Sequence, residues 1–324
     1  MEREFLKSSS RSVTLNITGG KIDSYREQEE TTGTVRVYAD GKIGVAGCLG
    51  EPEEEQLTAQ AEKALELGIP YVSALDGALE RAEDRSEEIL PDETIPGFVR
   101  CSGFSLPLRK GNHAVRLAGL LSARGLSYSW TWISAKLGYD RYDEGMALFS
   151  LKAIADTDQF QISRSSDYHY WKTRRVLGIR TKEDPDTWFY TVHMGWWEDE
   201  EDPFAGQWET LNRKLREQGR LSGTGRVWLL GDFNSPSAVA GEGYSLIRQS
   251  GWLDSYRLAQ KKDDGATVDH VIDGWRERMA EGESCRLDYI FSSRPEAVAQ
   301  SRVICNGTFY PVVSDHFGVM AEIL

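Results

Sequence analysis

Alternating apolar and polar residues predict two β-hairpins near the start of the chain. Residues 12–17 alternate, and so do residues 34–38 and 43–46. A Gly-Gly pair at 19–20 follows the first run, and an Asp-Gly pair at 40–41 separates the other two. These dipeptides beside alternating runs are typical of tight hairpin turns. The pattern therefore predicts a small antiparallel sheet.

A helix is predicted directly after this sheet. Pro52 suits the first turn of a helix, and the glutamates around it complement the positive end of the helix dipole. Leu57 and Ala61 are four residues apart and begin an apolar stripe, while Gly68 suits the C-terminal cap. The first part of the chain is thus predicted to be a small α+β hairpin-and-helix module.

Strand-like and helix-like patterns interleave in the rest of the chain. Predicted strands cover residues 146–149, 175–179, 188–192, 227–230, 287–291 and 317–321. Predicted helices cover residues 114–124, 204–218 and 244–250. Strands that alternate with helices along the chain indicate the α/β class.

Composition divides the 324 residues into two modules. All ten tryptophans lie between Trp130 and Trp275, and all five histidines lie after residue 112. The acidic segment 90–97 contains two prolines and a glycine, which is typical of a linker. We therefore predict a first module at residues 1–90, a linker at 91–106 and a second domain at 107–324.

Charge and hydropathy exclude several classes of protein. The formal net charge is −13, and phosphate-backbone affinity comes from Lys and Arg, so long nucleic acid is not an expected partner. No apolar run approaches the roughly 20 residues that span a bilayer, and the N-terminus lacks the apolar core of a signal peptide. The four cysteines are scattered and form no metal-binding or disulfide pattern. A cytoplasmic protein without a membrane partner is expected.

Polar residues occur at the ends of several predicted strands in the second domain. His193 ends one strand, Asp232 and Asn234 follow another, Asp288 lies inside an apolar strand, and His316 opens the last strand. An aspartate with a neighbouring amide can orient and deprotonate water, and a histidine oriented by an aspartate can bind phosphate oxygens. A hard divalent cation would neutralise the charge of a phosphate ester. This set of residue types points to phosphate-ester cleavage.

The first module resembles the N-terminal part of the TldD/PmbA family. The resemblance lies in residues 12–22 and 34–44 with the helix that follows, and it covers about residues 1–90. The family implies modulators of DNA gyrase and metallopeptidases. Its zinc site, a histidine–glutamate motif, has no counterpart here, and residues 1–112 contain no histidine. Peptidase activity is therefore not expected.

The second domain resembles the endonuclease/exonuclease/phosphatase superfamily. Residues 231–234, 286–291 and 314–319 are similar to its three C-terminal motifs in order and spacing, within a match over about residues 105–324. The superfamily implies a four-layer α/β sandwich, in which two packed sheets are flanked by helices. Residues 138–145, 264–268 and 272–275 are most similar to bacterial sugar-phosphate phosphatases.

The resemblance implies catalytic and metal-binding roles for five residues of these motifs. Asp232 and Asn234 would position the attacking water and the phosphoryl group. His316 would contact the scissile phosphate while paired with Asp288. Asp315 would bind Mg²⁺ or Mn²⁺ together with Asp232.

Four further residues are implied as part of the same site. His193 resembles the second histidine of the family, a phosphate ligand or acid, and Glu144 resembles the carboxylate that orients it. Arg174 and Arg175 are candidate phosphate contacts, although neighbours on a strand point to opposite faces and one of them is expected at the surface.

The N-terminal motifs of the superfamily are missing, so the predicted sandwich is incomplete. The family normally begins with a strand bearing an asparagine and continues to a glutamine–glutamate pair whose glutamate binds metal. No such pair follows an apolar strand within residues 60–110. Asn16 and Asp76 are candidate substitutes for the missing residues. The missing pieces would be a central strand and its neighbour, and without them a sheet edge would lie open.

Two hypotheses about function follow from the sequence. The first is a metal-dependent phosphoesterase with a small phosphorylated substrate, a sugar phosphate in particular, on which Trp196, Trp197 or Trp275 would stack. The second is a catalytically impaired fusion or truncated protein, in which the second domain is inert or only binds a ligand.

Overall fold

The structure, a computed structural model, describes residues 2–18, 21–40, 42–67, 88–139, 141–272, 275, 278–279 and 282–324, with the side chains of 2, 10–30, 49 and 67 left aside. The chain divides into two compact units, Met1–Arg81 and Ala82–Leu324. Each unit has its own apolar core among the described residues.

The first unit is a three-stranded antiparallel sheet covered by a helix. Its strands are β1 (Glu2–Thr18), β2 (Lys21–Ala39) and β3 (Lys42–Leu49), in that order, and the helix is α1 (Glu54–Ala64). Leu57 and Ala61 of α1 pack on Val35 and Val37 of β2. The two predicted hairpins and the helix are confirmed, and the turn residues 19–20 and 41 and the cap Gly68 lie outside the described residues.

The strands and helices of the second unit follow one another along the chain in α/β fashion. They are β4 (Ile89–Leu90), β5 (Leu108–Arg109), α2 (His113–Ala123), β6 (Ser129–Gly138), β7 (Tyr142–Ser150), β8 (Ile154–Gln161), β9 (Arg175–Thr181), β10 (Thr187–His193), α3 (Phe204–Glu217), β11 (Arg226–Asp232), α4 (Gly243–Gln249), β12 (Leu253–Asp254), α5 (Ser255–Leu258), β13 (Lys261–Lys262), β14 (Asp288–Ser292), β15 (Val298–Ile304) and β16 (Gly318–Ile323).

A six-stranded mixed sheet forms the centre of this unit. Its strand order is β12-β14-β11-β10-β9-β8, and only β10 and β11 run parallel within it. A second sheet has the order β13-β15-β16, and β6 with β7 forms a hairpin that lies against β9 and β10. These packed sheets with flanking helices confirm the predicted α/β sandwich class.

The main core lies between the central sheet and the helices α3 and α4. Phe204, Trp208 and Leu211 of α3 are buried against Leu229 of β11 and Phe291 of β14. The helix presents these apolar residues on one face because they recur at spacings of three and four. This packing fixes the strands whose ends carry the candidate site.

Residues of the predicted linker contribute to a second core. Ile95 is buried beside Leu108 and Trp130, and Phe98 and Phe104 pack on the same cluster. Trp130 Nε1 donates a hydrogen bond to the carbonyl of Pro96 at 2.8 Å. This segment is therefore part of the second unit, while the domain limits given above from the sequence remain a prediction.

Within the described residues, no helix combines the length and the apolar character needed to cross a membrane.

Candidate active site

Three adjoining strands place polar side chains at the same edge of the central sheet. β10 and β11 run parallel, and their register pairs His193 with Asp232. β14 runs antiparallel to β11 and pairs Asp232 with Asp288. Carboxyl ends of parallel strands are where α/β sheets commonly bind ligands. Three of the sequence-predicted residues are therefore brought together by strand register alone.

Asp232, Asp288 and His316 form one compact group. Each offers a ligand-type atom, and these atoms all lie within 4.8 Å of one another. His316 Nδ1 lies 2.8 Å from Asp288 Oδ2, and His193 Nε2 lies 3.5 Å from Asp232 Oδ2. The side chains of Asp232, Asp288 and His316 are only 17% to 21% exposed, so their charges are poorly screened by solvent.

Burial and neighbouring charges shift the pKa values of Asp232, His316 and His193 in different directions. Burial, with the nearby charge of Asp288, raises the pKa of Asp232 to about 7. Burial alone would lower the pKa of His316, but the hydrogen bond and charge of Asp288 outweigh it and raise that pKa to about 9. Burial and the cations Arg174 and Lys136 hold the pKa of His193 well below its usual value. At neutral pH His316 is therefore a cation and His193 is neutral.

Asn234 locks the turn that follows β11. Its backbone lies in the left-handed region, with φ of 45°, and its N–H donates to Asp232 Oδ1 at 2.7 Å. Its amide Nδ2 donates to the carbonyl of Met194 at 2.9 Å, and its Oδ1 accepts from Trp275 Nε1 at 3.2 Å. Asn234 thus orients the Asp232 carboxylate, and the buried Trp275 supports that turn instead of presenting a stacking surface.

A small cavity beside His193 contains the other predicted residues. Its lining is Ala135, Glu144, Gly145, Met146, Arg174, Arg175 and His193. Glu144 Oε1 pairs with Lys136 Nζ at 3.1 Å, and no hydrogen bond joins Glu144 to His193 among the residues that the structure describes. The carboxylate expected to orient His193 therefore contacts a lysine.

The two adjacent arginines differ in their surroundings. Arg175 donates from Nη2 to Gln159 Oε1 at 2.6 Å, and its guanidinium lies 6.0 Å from the centre of the Phe104 ring. Arg174 is 5% exposed and lies in the electrostatic field of Glu144 and Asp232. Neither arginine is a surface residue, so the expectation that one of them faces solvent is not met, because β9 is covered by the β6–β7 hairpin.

Asp315 lies apart from the compact group. Its side chain is in an exposed turn before β16 and accepts a hydrogen bond from Ser314 Oγ at 3.0 Å. Its charge contributes to the raised pKa of His316. Asp232, the other predicted metal ligand, is inside the group. The substitutes Asp76 and the side chain of Asn16 lie outside the described residues.

Lys136 and Trp171 lie near the site and were not predicted from the sequence, and Arg286 belongs to the motif 286–291 without a role predicted for its side chain. Lys136 is buried in β6, and its Nζ also donates to the carbonyl of Trp171 at 2.6 Å. Trp171 is 51% exposed, and its ring centroid lies 5.6 Å from that of Trp196. Arg286 pairs with the buried Asp254 at 2.9 Å among three tyrosine rings. A lysine inside the apolar stretch 129–138 was the one available signal.

Comparison with known proteins addresses the two units separately. Residues 4–68 match the family model described as PmbA/TldA metallopeptidase domain 1. No curated protein matches the chain. A solved endonuclease/exonuclease/phosphatase family protein from Leptotrichia buccalis is 28% identical, with a TM-score of 0.61 over 75% of this chain and 84% of that one.

The chain is therefore similar in fold and sequence to an endonuclease/exonuclease/phosphatase family protein over three quarters of its length. Two further solved structures are similar. A mannosyl-6-phosphatase from Bacteroides thetaiotaomicron is 18% identical, with a TM-score of 0.45 over 64% of this chain and 89% of its own. An endonuclease/exonuclease/phosphatase from Beutenbergia cavernae is 17% identical, with a TM-score of 0.46 over 74% of this chain and 61% of its own.

At a general level, this similarity supports a hydrolase of phosphoester bonds. The candidate metal ligands of the second unit fit a hard divalent cation in one respect. Asp232 and Asp288 bring two carboxylates into one buried group, and their repulsion is part of what raises the pKa of Asp232. A cation beside them would relieve that repulsion. The imidazole of His316 suits Mn²⁺ better than Mg²⁺, which prefers oxygen ligands.

Proposed function

We propose that the second unit is a divalent-metal-dependent phosphoesterase that hydrolyses a small phosphate ester by in-line attack of water. The observation that carries the proposal is the convergence of Asp232, Asp288, His316 and His193 at one sheet edge. A buried aspartate and a charged histidine with opposite proton states provide the base and the acid that ester hydrolysis needs.

Asp232 is the base in this mechanism. Its carboxylate is held by the N–H of Asn234 and faces His193. Without a cation its pKa is about 7, so it is partly ionised at neutral pH, and a cation beside it would increase the ionised fraction that can take a proton from water. As the water oxygen bonds to phosphorus, that proton passes to Asp232 Oδ2.

His316 is the cationic partner on the other side of the phosphate. Its Nδ1 is fixed by Asp288, so Nε2 carries the proton that is offered to the substrate. The imidazolium stabilises charge on the phosphate and gives its proton to the leaving oxygen as the ester P–O bond breaks. The products are an alcohol and phosphate, and proton exchange between His316 and Asp232 restores both groups.

His193, Arg174 and Arg175 are the proposed phosphate-binding residues. His193 is neutral and lines the cavity with both arginines. Glu144 belongs to the same cavity, and its contact with Lys136 gives it a positioning role. Together these groups orient the phosphoryl group for attack.

Asp232 and Asp315 are the residues that would hold Mg²⁺ or Mn²⁺, with Asp288 close to the first of them. When bound, the cation neutralises charge on the phosphate oxygens. A hard cation prefers more than one protein carboxylate plus waters or phosphate oxygens. Since Asp315 lies apart from the compact group, we expect weak cation binding without substrate and slow turnover.

The proposed substrate class is a sugar phosphate. About half of Trp171 is exposed, and its ring lies beside that of Trp196. Trp196 follows His193 by three residues in the chain. An exposed indole next to a phosphate site offers an apolar face on which a sugar ring can stack. Trp171 is the exposed member of this pair, whereas Trp275 is buried and Trp196 and Trp197 pack in part on apolar cores.

The alternative is that the second domain is catalytically impaired. A single assay distinguishes this alternative from an active phosphoesterase. Hydrolysis of a hexose 6-phosphate and of p-nitrophenyl phosphate is measured with Mn²⁺, with Mg²⁺ and with chelator. We expect metal-dependent turnover, which Asp232→Asn lowers by about 10²- to 10⁴-fold. Asp156→Asn, at a solvent-exposed ion pair with Arg180, is the matched control. Activity that persists in chelator and in Asp232→Asn would refute the mechanism, and no activity at any metal concentration favours the inert domain.

A further inference from the structure

Arg174 is a buried cation that lacks a direct partner. Its side chain is almost fully buried, and its Nε atom contacts neither solvent nor a hydrogen-bond acceptor. Across the residues that the structure describes, no ion pair or hydrogen bond reaches its guanidinium. Burying a charge in this way is costly unless a partner of opposite sign compensates it. The missing partner is therefore expected to be a ligand.

The surroundings of Arg174 define the charge of that ligand. Arg174 and His193 line the same cavity. Lys136, also buried, lies behind Glu144 and acts electrostatically on both His193 and Arg174. Glu144 contacts Lys136 at 3.1 Å, and its charge acts on Arg174 only through space, without an ion pair or hydrogen bond to the guanidinium among the described residues. The Arg174 guanidinium is therefore the group of this cavity with which an anion would pair.

We propose that Arg174, supported by Lys136, is a receptor for the non-bridging oxygens of a phosphate dianion, and that it makes the site selective for phosphomonoesters over phosphodiesters. The selectivity rests on the function proposed above, whereas the anion site does not. A guanidinium presents a planar fork that matches two phosphate oxygens. A monoester has three non-bridging oxygens and a second negative charge, while a diester has two oxygens and one charge.

The position of Lys136 follows from an irregularity in the β6–β7 hairpin. The register shifts between Ser134 and Lys136, and Lys136 then pairs with Glu144. Such a bulge re-aims the side chains that follow it. The Lys136 ammonium is held by Glu144 and by the Trp171 carbonyl. We assign it as a positioning residue that holds the Glu144 carboxylate in direct contact with its own ammonium, so that Glu144 acts on Arg174 only through space.

Selectivity arises because Arg174 is paired when a phosphomonoester is bound and unpaired when a phosphodiester is bound. A monoester supplies an oxygen for the guanidinium in addition to those that face His193 and His316. A diester carries an alkyl group in place of that oxygen, so Arg174 stays buried without a partner. Discrimination through an unpaired buried polar group is typically large.

The anion site is tested first, without metal and without catalysis. Inorganic phosphate is titrated into the full chain in chelator, by calorimetry and by thermal unfolding. We expect phosphate to bind and to raise the Tm of the wild type, since a ligand of the folded state stabilises it. Arg174→Leu should bind at least tenfold more weakly, and in phosphate-free buffer its Tm should equal or exceed that of the wild type because an unpaired charge is gone.

Two further variants keep this test decisive. Arg174→Lys retains the charge and loses the fork, so intermediate affinity is expected even if Arg174→Leu folds poorly. Arg180 lies in β9, the strand that begins directly after Arg174, and pairs with Asp156 at the surface. The Arg180→Gln variant should bind phosphate as the wild type does. Phosphate binding by Arg174→Leu and Arg174→Lys at wild-type affinity would overturn the receptor.

Selectivity is tested by the ratio of kcat/KM for p-nitrophenyl phosphate to that for bis(p-nitrophenyl) phosphate. The wild type should favour the monoester, and Arg174→Lys and Lys136→Met should lower the ratio at least tenfold. An unchanged ratio in both variants overturns the selectivity. If the wild type hydrolyses neither ester, the proposed function fails, while the phosphate titration still decides whether Arg174 is an anion receptor.

Discussion

His316 Nδ1 lies 2.8 Å from Asp288 Oδ2, and this contact sets the charge of the whole site. Asp288 keeps His316 protonated, and through its own charge it makes ionisation of Asp232 harder. One carboxylate therefore moves two neighbouring groups in the directions that suit an acid and a base. The contact also fixes the ring orientation of His316, since one nitrogen is occupied and the other is left for substrate.

Stability of the metal-free protein should fall between pH 7 and pH 9. The pKa of His316 is about 9 in the folded protein and about 6.5 in the unfolded chain. The folded state therefore keeps a proton that the unfolded state has released, so the stabilisation present below pH 6.5 is lost as pH rises through 9. The shift corresponds to up to about 3 kcal/mol.

Urea unfolding in chelator at pH 7, 8 and 9 measures this loss. His316→Gln should show a flatter dependence than the wild type, because the titrating group is gone. His270→Gln is the control, since His270 pairs with Asp269 at the surface. Equal slopes for the wild type and His316→Gln would contradict the pairing with Asp288.

Gly231→Ala should damage both stability and activity. Gly231 has a φ of 135°, and a Cβ there would lie 2.1 Å from the Val192 carbonyl oxygen. The change would push β10 from β11 just where His193 and Asp232 pair. Gly119→Ala in α2, where a Cβ meets no atom within 4 Å, should instead gain about 1 kcal/mol. Thermal unfolding and kcat of both variants test this contrast.

Trp171→Ala should affect sugar binding and leave phosphate chemistry intact. Trp171 contacts Lys136 through its backbone carbonyl, which alanine retains, while the exposed ring is lost. We expect KM for a hexose 6-phosphate to rise about tenfold, the equivalent of about 1.4 kcal/mol. KM for methyl phosphate, which has no ring to stack, serves as the internal comparison. A parallel rise for both substrates would argue against a stacking role.

Arg286→Met should destabilise the second unit strongly. The change leaves the Asp254 carboxylate, 1% exposed, without its cation, and breaking a buried pair in this way costs about 3–5 kcal/mol. The double variant Arg286→Met with Asp254→Asn should recover part of the loss. Arg257→Gln, a solvent-exposed change on α5, should be nearly neutral. Denaturant unfolding of the four proteins supplies the comparison.

The two units should unfold separately. Each has its own core, represented by Leu57 in the first and Leu229 in the second. Leu→Ala at a buried site costs about 2–5 kcal/mol. In calorimetry of the full chain, we expect Leu57→Ala to lower one transition and Leu229→Ala to lower the other. A single transition shifted by both variants would show that the units unfold together.

The sequence predicted the presence of most helices and strands better than it predicted their lengths. The hairpins around 19–20 and 40–41 and the strands at β9, β10, β11 and β14 follow directly from periodicity and turn chemistry. Among the longer strands of the second unit, β6, β8 and β15 were not anticipated, because their residues do not alternate cleanly. β6 is buried along most of its length, which removes the polar positions that make a strand recognisable.

Within the site, strand ends were predictable and side-chain partners were not. His193 and Asp232 meet because their strands are parallel neighbours, a relationship that polar strand ends already suggest. The pairing of Glu144 with Lys136 depends on the bulge in β6, and the separation of Asp315 depends on the conformation of an exposed turn. Neither feature leaves a periodic trace in the sequence.

The candidate site lies at one end of β10, β11 and β14, and the loops at the other end of these strands lie away from it. The segments 182–186, 218–225 and 293–297 connect to β10, β11 and β14 at the ends remote from His193, Asp232 and Asp288. Insertions there would leave the strand register untouched, since loops tolerate added residues far better than strands do. An affinity tag, a fluorophore or a surface-immobilisation linker is best placed at 182–186, where most residues are exposed, because Leu221 in the segment 218–225 packs on the main core.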